Sequence, residues 1–280
     1  MHTSDAAHSA HPIDPGPLAG IRHSIAVASG KGGVGKSTVS VNLAVALASG
    51  GAATGLLDAD LHGASIPMMT GVARAPERAG QKLLPVEAHG VKLMSLGFLM
   101  PDGGPVIWRG PMVSGAIQQF LGDVAWGVLD YLVVDLPPGT GDAQLTLAQS
   151  IPLTGAVIVT TPQDVALQIA AKALAMFQQL RVPILGIIEN MSGFVCPHCG
   201  TPAALFREGG GRQASERLGV PFLGAVPLDA GVCQAGDRGE PTVALQPASA
   251  AGAAFRAVAD AVVRQVEAAG TGPTIRFGQE

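Results

Sequence analysis

Gly30-Lys31-Gly32-Gly33-Val34-Gly35-Lys36-Ser37-Thr38 has the composition of a phosphate cradle. It fits the pattern G-x-x-x-x-G-K-S/T from Gly30 to Ser37, directly after one apolar run and directly before another. Glycines allow successive backbone N–H groups to converge on phosphate oxygens, and a helix N-terminus adds partial positive charge. Lys36 is positioned to reach the β- and γ-phosphates of a nucleotide, and the Ser37 hydroxyl to ligate Mg²⁺. Lys31 is not required to cradle phosphate within one chain, and read alone it is a solvated surface lysine.

Carboxylates at the ends of apolar runs complete a nucleotide site on paper. Tyr131-Leu132-Val133-Val134-Asp135 is a buried strand closed by an acid, and an Asp there suits an outer-sphere contact to Mg²⁺. Leu136-Pro137-Pro138-Gly139 turns away from it, with Gly139 as a hinge. Leu56-Leu57-Asp58-Ala59-Asp60 ends in the same way, and period-two alternation puts both Asp side chains on one side of an extended segment. Their plainer reading is the capping of a following turn. Asn190, in Glu189-Asn190-Met191-Ser192, and Pro227 and Asp229, in Val226-Pro227-Leu228-Asp229, follow two further strands and are by themselves ordinary turn residues.

Cys196-Pro197-His198-Cys199 is the second group with chemistry in it. A C-x-x-C turn puts two thiolates on one side of a loop, near enough to share a metal or a cluster. Four thiolates close a tetrahedral zinc site or a 4Fe–4S cluster, and one such pair supplies two. A two-fold dimer would place two pairs face to face and complete the set. Spacing does not separate zinc from iron–sulfur, since both take four thiolates. His198 reads as a spacer, and the distant Cys233 as a small buried hydrophobe.

Elements to carry these groups are legible. Ile25–Ala28, Gly55–Leu57, Val91–Leu96, Tyr131–Val134, Ala156–Thr160, Ile184–Ile188 and Phe222–Val226 are apolar without alternation, as strands covered on both faces must be. Helical stretches fall at Ser37–Ser49, Val113–Val124, Val165–Leu180 and Ala250–Ala269. The order predicts an α/β fold with a single, mostly parallel sheet of seven or eight strands between helices, ligands binding at the strands' carboxyl ends. Residues 21–270 form that domain, 1–20 read as a disordered leader and 271–280 as a tail. Aromatics are 4% of the 280 residues and apolar residues 48%, so the core is built from Ala, Val, Leu and Ile. A net charge of −4 argues against a general affinity for nucleic acid. The long uncharged stretches, Ser37 to Leu57 and Ala143 to Gln163, are broken by Gly or Pro and read as a buried helix followed by a buried strand, not as membrane spans. Three cysteines are too few for a disulfide framework and point to a reducing cytoplasm.

The glycine loop, with its early Lys31, resembles the deviant Walker A class to which MinD, ParA and the nitrogenase iron protein belong. Further strings narrow the resemblance: Asp58-Ala59-Asp60-Leu61-His62-Gly63, Trp108-Arg109-Gly110-Pro111-Met112, Asp135-Leu136-Pro137-Pro138-Gly139-Thr140-Gly141-Asp142, Thr161-Pro162-Gln163-Asp164 and the C-x-x-C. Together they are similar to the Mrp/ApbC family of iron–sulfur cluster carrier ATPases from about Ile21 to Gln265. The resemblance implies a homodimer with ATP and Mg²⁺ held between protomers, Lys31 crossing to the partner's nucleotide. It gives Asp60 the attacking water, Asp58 part of the metal region, and Asn190, Pro227 and Asp229 the adenine. It also implies a 4Fe–4S cluster bound by Cys196 and Cys199 of both protomers, passed between cluster-assembly scaffold proteins and apo-proteins. A membrane- or DNA-binding spatial organiser of the MinD or ParA kind is the rival reading. It leaves the C-x-x-C without a use, and the segment from Ala251 to Glu280 has three arginines and no lysine where a basic amphipathic helix would be needed. Arg207 stands where relatives commonly have glycine.

Overall fold

Strands without alternation have no face to offer water, and β1 (Ile21–Ala28) shows the consequence: Ile25 to Ala28 are fully buried. The computed structural model describes residues 18, 20–60, 63–99, 122–195, 199, 201–203 and 209–269. The expected helix Val113–Val124 lies almost wholly outside them, as do the leader before residue 18 and the tail after 269. Among the described residues the strands continue as β2 (Thr54–Asp58), β3 (Val86–Ala88), β4 (Val91–Ser95), β5 (Leu129–Asp135), β6 (Gly155–Thr160), β7 (Ile184–Glu189) and β8 (Phe222–Ala225). They form an eight-stranded sheet in the order β8-β7-β6-β1-β5-β2-β4-β3. Every neighbouring pair is parallel except β3, which turns back antiparallel on β4 at the edge.

Among the described residues the helices are α1 (Lys36–Ser49), α2 (Ile66–Met69), α3 (Asp142–Ser150), α4 (Asp164–Gln179), α5 (Gly210–Leu218), α6 (Ala230–Asp237), α7 (Thr242–Leu245) and α8 (Ala250–Ala268). Successive side chains of each strand enter opposite layers. Ile25 and Val27 join Leu56, Val133, Val157 and the helices α1 and α8, with Phe255 at the centre. Ala26 and Ala28 join Leu57, Leu132, Val134 and the helices α3 and α4, with Phe177 at the centre. Aliphatic residues fill most of both layers, as the scarcity of aromatics requires. The two long uncharged stretches are α1 followed by β2, and α3 followed by β6. No described helix is long and apolar enough to cross a membrane.

Strand boundaries moved where polar residues hid the ladder. β1 begins at Ile21 because Ile21 and His23 pair with Leu129 and Tyr131 of β5 despite the polar run Arg22-His23-Ser24. The hairpin Arg78–Ala79 with Lys82–Leu83 and the helices α2, α6 and α7 are too short to show apolar periodicity in advance, and α5 has too few apolar residues to stand out. Cys233 is a correction. It lies exposed on α6, with its thiol 3.9 Å from Asp237 Oδ2, because that short helix buries only Ala235 fully.

Candidate functional site

The phosphate loop leaves the end of β1 at the middle of the sheet, where neighbouring strands depart in opposite directions and a crevice must open. Its glycines divide into two kinds. Gly30 and Gly35 have no room for a side chain: a Cβ would lie 2.4 Å from the Ile169 carbonyl at Gly30 and 2.2 Å from Asn190 Nδ2 at Gly35. Among the described residues Gly32 and Gly33 have no protein atom within 4 Å of that position, which leaves room for a ligand. Gly33 and Gly35 both have φ of +78°, a backbone that glycine alone adopts at little cost. The result is a cleft of about 230 Å³ lined by Lys31, Gly33, Lys36, Ser37, Thr38 and Asp60, among others.

Lys36 opens α1, yet its side chain is 6% exposed. A buried ammonium needs a partner. Asp135 supplies it, with Oδ2 2.7 Å from Lys36 Nζ, while Asp60 Oδ2 stands 4.0 Å away. Asp135 also accepts from Ser37 Oγ at 2.6 Å and from Ser40 Oγ at 2.6 Å. A hydroxyl and a carboxylate sharing one point are hard oxygen donors of the kind Mg²⁺ takes, and the Lys36 ammonium already holds a positive charge there. The residues present fit the ion.

Asp58 and Asp60 have separate tasks. Asp58, fully buried, accepts from the backbone N–H of Asp60 at 3.2 Å, from that of Ile66 at 3.3 Å and from Ser95 Oγ at 3.0 Å. It braces the turn that presents Asp60. Burial, and then the charge of Asp135 across the β2–β5 register, push its pKa up to about 7. Asp60 is the acid that lines the cleft.

The expected adenine contacts lie on two neighbouring turns, after β7 and after β8, joined where Ser192 N–H donates to the Val226 carbonyl at 2.8 Å and Leu228 N–H to the Gly193 carbonyl at 3.0 Å. Asn190 Nδ2 donates to the Val34 carbonyl at 2.9 Å, so its side chain holds the phosphate loop itself. Asp229 is the N-cap of α6 and accepts from Gly231 N at 2.7 Å. Pro227 lies between them in the turn after β8. Cys196 lies outside the described residues. Cys199 is exposed and donates to Thr201 Oγ1 at 3.2 Å, beside a small hairpin of Phe194–Val195 with Pro202–Ala203.

Three residues with clear roles escaped the sequence reading. Ser40 lies three and four positions beyond Ser37 and Lys36, so helical spacing alone puts it on their face. Ser95 needed the pairing of β2 with β4 to be known, for it sits opposite Asp58. Glu189 ends β7 as Asp135 ends β5, the same signal of an apolar run closed by an acid.

A parallel sheet with a glycine loop at its switch point, a lysine and serine opening the next helix, and buried carboxylates behind them define a P-loop NTPase. Residues 20–263 match the family model described as ParA, NUBPL iron-transfer P-loop NTPase, and the chain belongs to that family. An iron–sulfur cluster carrier protein of Synechocystis is 54% identical over 89% of this chain and 72% of its own length. One from Methanocaldococcus jannaschii is 53% identical over 88% of this chain and 86% of its own. Among solved structures, a nucleotide-binding protein from Archaeoglobus fulgidus in complex with ADP and with cobalt shares 43% identity at a TM-score of 0.72. That match covers 80% of this chain and 88% of the other.

Proposed function

We propose that this chain binds and hydrolyses ATP as a homodimer, and that the dimer carries a 4Fe–4S cluster between the Cys196 and Cys199 pairs of its two protomers for delivery to apo-proteins. The observation that carries the reading is the junction of Lys36, Ser37 and Asp60 on the floor of one cleft, with the buried Asp135 behind them, in a chain whose relatives are iron–sulfur cluster carriers. In this reading Lys36 exchanges Asp135 for the β- and γ-phosphates when ATP enters. Ser37, with Asp135 behind it, would hold Mg²⁺, which supplies charge neutralisation on the phosphate oxygens. Asp58 shapes that region by bracing the turn. Asp60 orients a water toward the γ-phosphorus and takes its proton as the bond to ADP breaks. Lys36 and the partner subunit's Lys31 oppose the charge that spreads over the transferred group. Asn190, Pro227 and Asp229 flank the adenine. Residues 21–270 act as one unit, and the exposed thiols suit a reducing compartment such as the cytoplasm.

Anaerobic reconstitution tests the proposal, with iron, sulfide, zinc, ATP turnover and oligomeric mass measured together. The reading requires about four irons and four sulfides per dimer, lost in the Cys196→Ser/Cys199→Ser double variant while nucleotide binding persists. A clusterless monomer under reducing conditions would remove the carrier role and leave an ATPase. Stoichiometric zinc that resists exchange for iron would make the cysteine pairs a structural bridge.

A further inference from the structure

Two adjacent residues at the end of β7 hold the phosphate loop and the base of the cysteine loop. Glu189 and Asn190 follow one another, so alternation sends their side chains to opposite faces of the sheet. Asn190 reaches the phosphate loop, donating through Nδ2 to the Val34 carbonyl at 2.9 Å and filling the space that any side chain at Gly35 would need. Its own backbone N–H is pinned to the Thr160 carbonyl at 2.8 Å, so the contact is made from a fixed ladder position.

Glu189, fully buried, works on the other side. Its Oε1 accepts from Ser192 Oγ at 2.5 Å and from Gly209 N at 3.1 Å, and its Oε2 accepts from Gly211 N. Ser192 precedes Cys196 and Cys199 in the chain, and Gly209 follows them. One carboxylate therefore closes the base of the excursion that carries both cysteines. It also supplies acceptors to the first turn of α5, where a negative group is favoured. Capping α5 would account for the bonds to Gly209 and Gly211 alone. It does not account for the bond to Ser192 on the opposite limb, nor for the adjacency to Asn190.

We infer that Glu189 and Asn190 are positioning residues that link the phosphate loop to the cysteine loop, so that nucleotide occupancy alters the reactivity of the cysteine pair. This rests on the ATP-binding reading above. Asn190 contacts the carbonyl of Val34, one residue from Gly35 and two from Lys36. A shift of that loop on phosphate binding pulls on the end of β7, and the Glu189 carboxylate transmits it to both limbs of the excursion. By linkage, whatever binds the cysteines changes nucleotide affinity by the same factor.

Alkylation of Cys199, resolved from Cys233 by peptide mass spectrometry, measures the link on the full chain with and without a non-hydrolysable ATP analogue. In the unaltered protein the analogue is expected to change the Cys199 rate by about fivefold or more. Glu189→Gln replaces an acceptor by an amide N–H₂ that faces donors, and should cut that change to under about twofold while analogue affinity holds within about twofold. Ser192→Ala removes one limb's bond alone and keeps the α5 cap, so it should lose part of the response even if Glu189→Gln fails to fold. A full response in Ser192→Ala or Glu189→Gln overturns the inference, as does a bound analogue that leaves the unaltered Cys199 rate unchanged. A chain that binds no analogue at all overturns the ATP reading itself, which the binding measurement shows separately.

Discussion

The phosphate loop and the cysteine excursion start from strand ends two places apart in one sheet, and they are held in opposite ways. At the phosphate loop the fixed glycines leave no room for a Cβ, which would meet Ile169 at Gly30 and Asn190 at Gly35, and the charged side chains are buried against one another. At the far limb of the excursion Gly209 also has a left-handed backbone, φ +75°, but among the described residues no atom lies within 4 Å of where its Cβ would be. Cys199 is exposed. Phosphate chemistry is thus prepared within one chain, because a highly charged ligand rewards donors fixed in advance. In the proposed reading the cysteine pair would hold half a tetrahedral site, and the other half would arrive from the second protomer.

The comparison breaks first at Lys36. Lys36→Ala should lower ATP turnover about 10²–10³-fold and, by stranding the buried Asp135, cost about 3–5 kcal/mol of stability. Steady-state turnover and chemical denaturation read the two effects, and near-normal turnover would remove Lys36 from the chemistry. Asp60→Ala should slow hydrolysis about 10²-fold with nucleotide affinity within about twofold, as measured by single turnover beside a binding titration. Equal losses in both would show that Asp60 holds the nucleotide instead.

The glycines sharpen the contrast directly. Gly35→Ala meets both a positive φ and the Asn190 amide at 2.2 Å, and should weaken nucleotide binding about tenfold while lowering the melting temperature. Gly209→Ala meets the backbone cost alone, about 1 kcal/mol, and should leave nucleotide affinity unchanged. Equal effects at the two positions would erase the distinction between packed and open loops.

A further effect concerns pH. Asp58 has a pKa of about 7 in the folded chain against 3.8 as the ordinary value, so the folded state binds its proton more tightly. The stability this confers is complete below about pH 4 and is lost as pH rises toward 7, on the order of 2 kcal/mol between pH 5 and 7. His23 works in the other direction, since burial lowers its pKa and the unfolded chain takes up its proton first as pH falls. The difference between the unaltered protein and Asp58→Asn isolates the aspartate: the melting temperature of the unaltered protein relative to the variant should fall as pH rises from 5 to 7. Parallel curves would assign the pH dependence to other groups.

The sequence by itself determined the sheet, the phosphate loop and the candidate metal and hydrolysis acids, because each depends on neighbours in the chain. Unbroken apolar runs must be covered on both faces, glycines must stand where φ is positive, and Lys36 and Ser37 must open the helix that follows them. Ser40 belonged to the same class and was legible through helical spacing. What the carboxylates do was decided by the tertiary structure alone. Asp58 faces Ser95 because β2 lies between β4 and β5, an order that no local pattern contains, and that pairing turns one of two neighbouring acids into a brace for the other. Asn190 and Glu189 look like the start of a turn until β7 is set beside β6. Only then does one side chain meet the Val34 carbonyl, 156 positions away in the chain, while the other gathers the two limbs of the cysteine loop. Local sequence sets which groups are available, whereas their partners follow from strand order, which is settled by burial summed over the whole sheet.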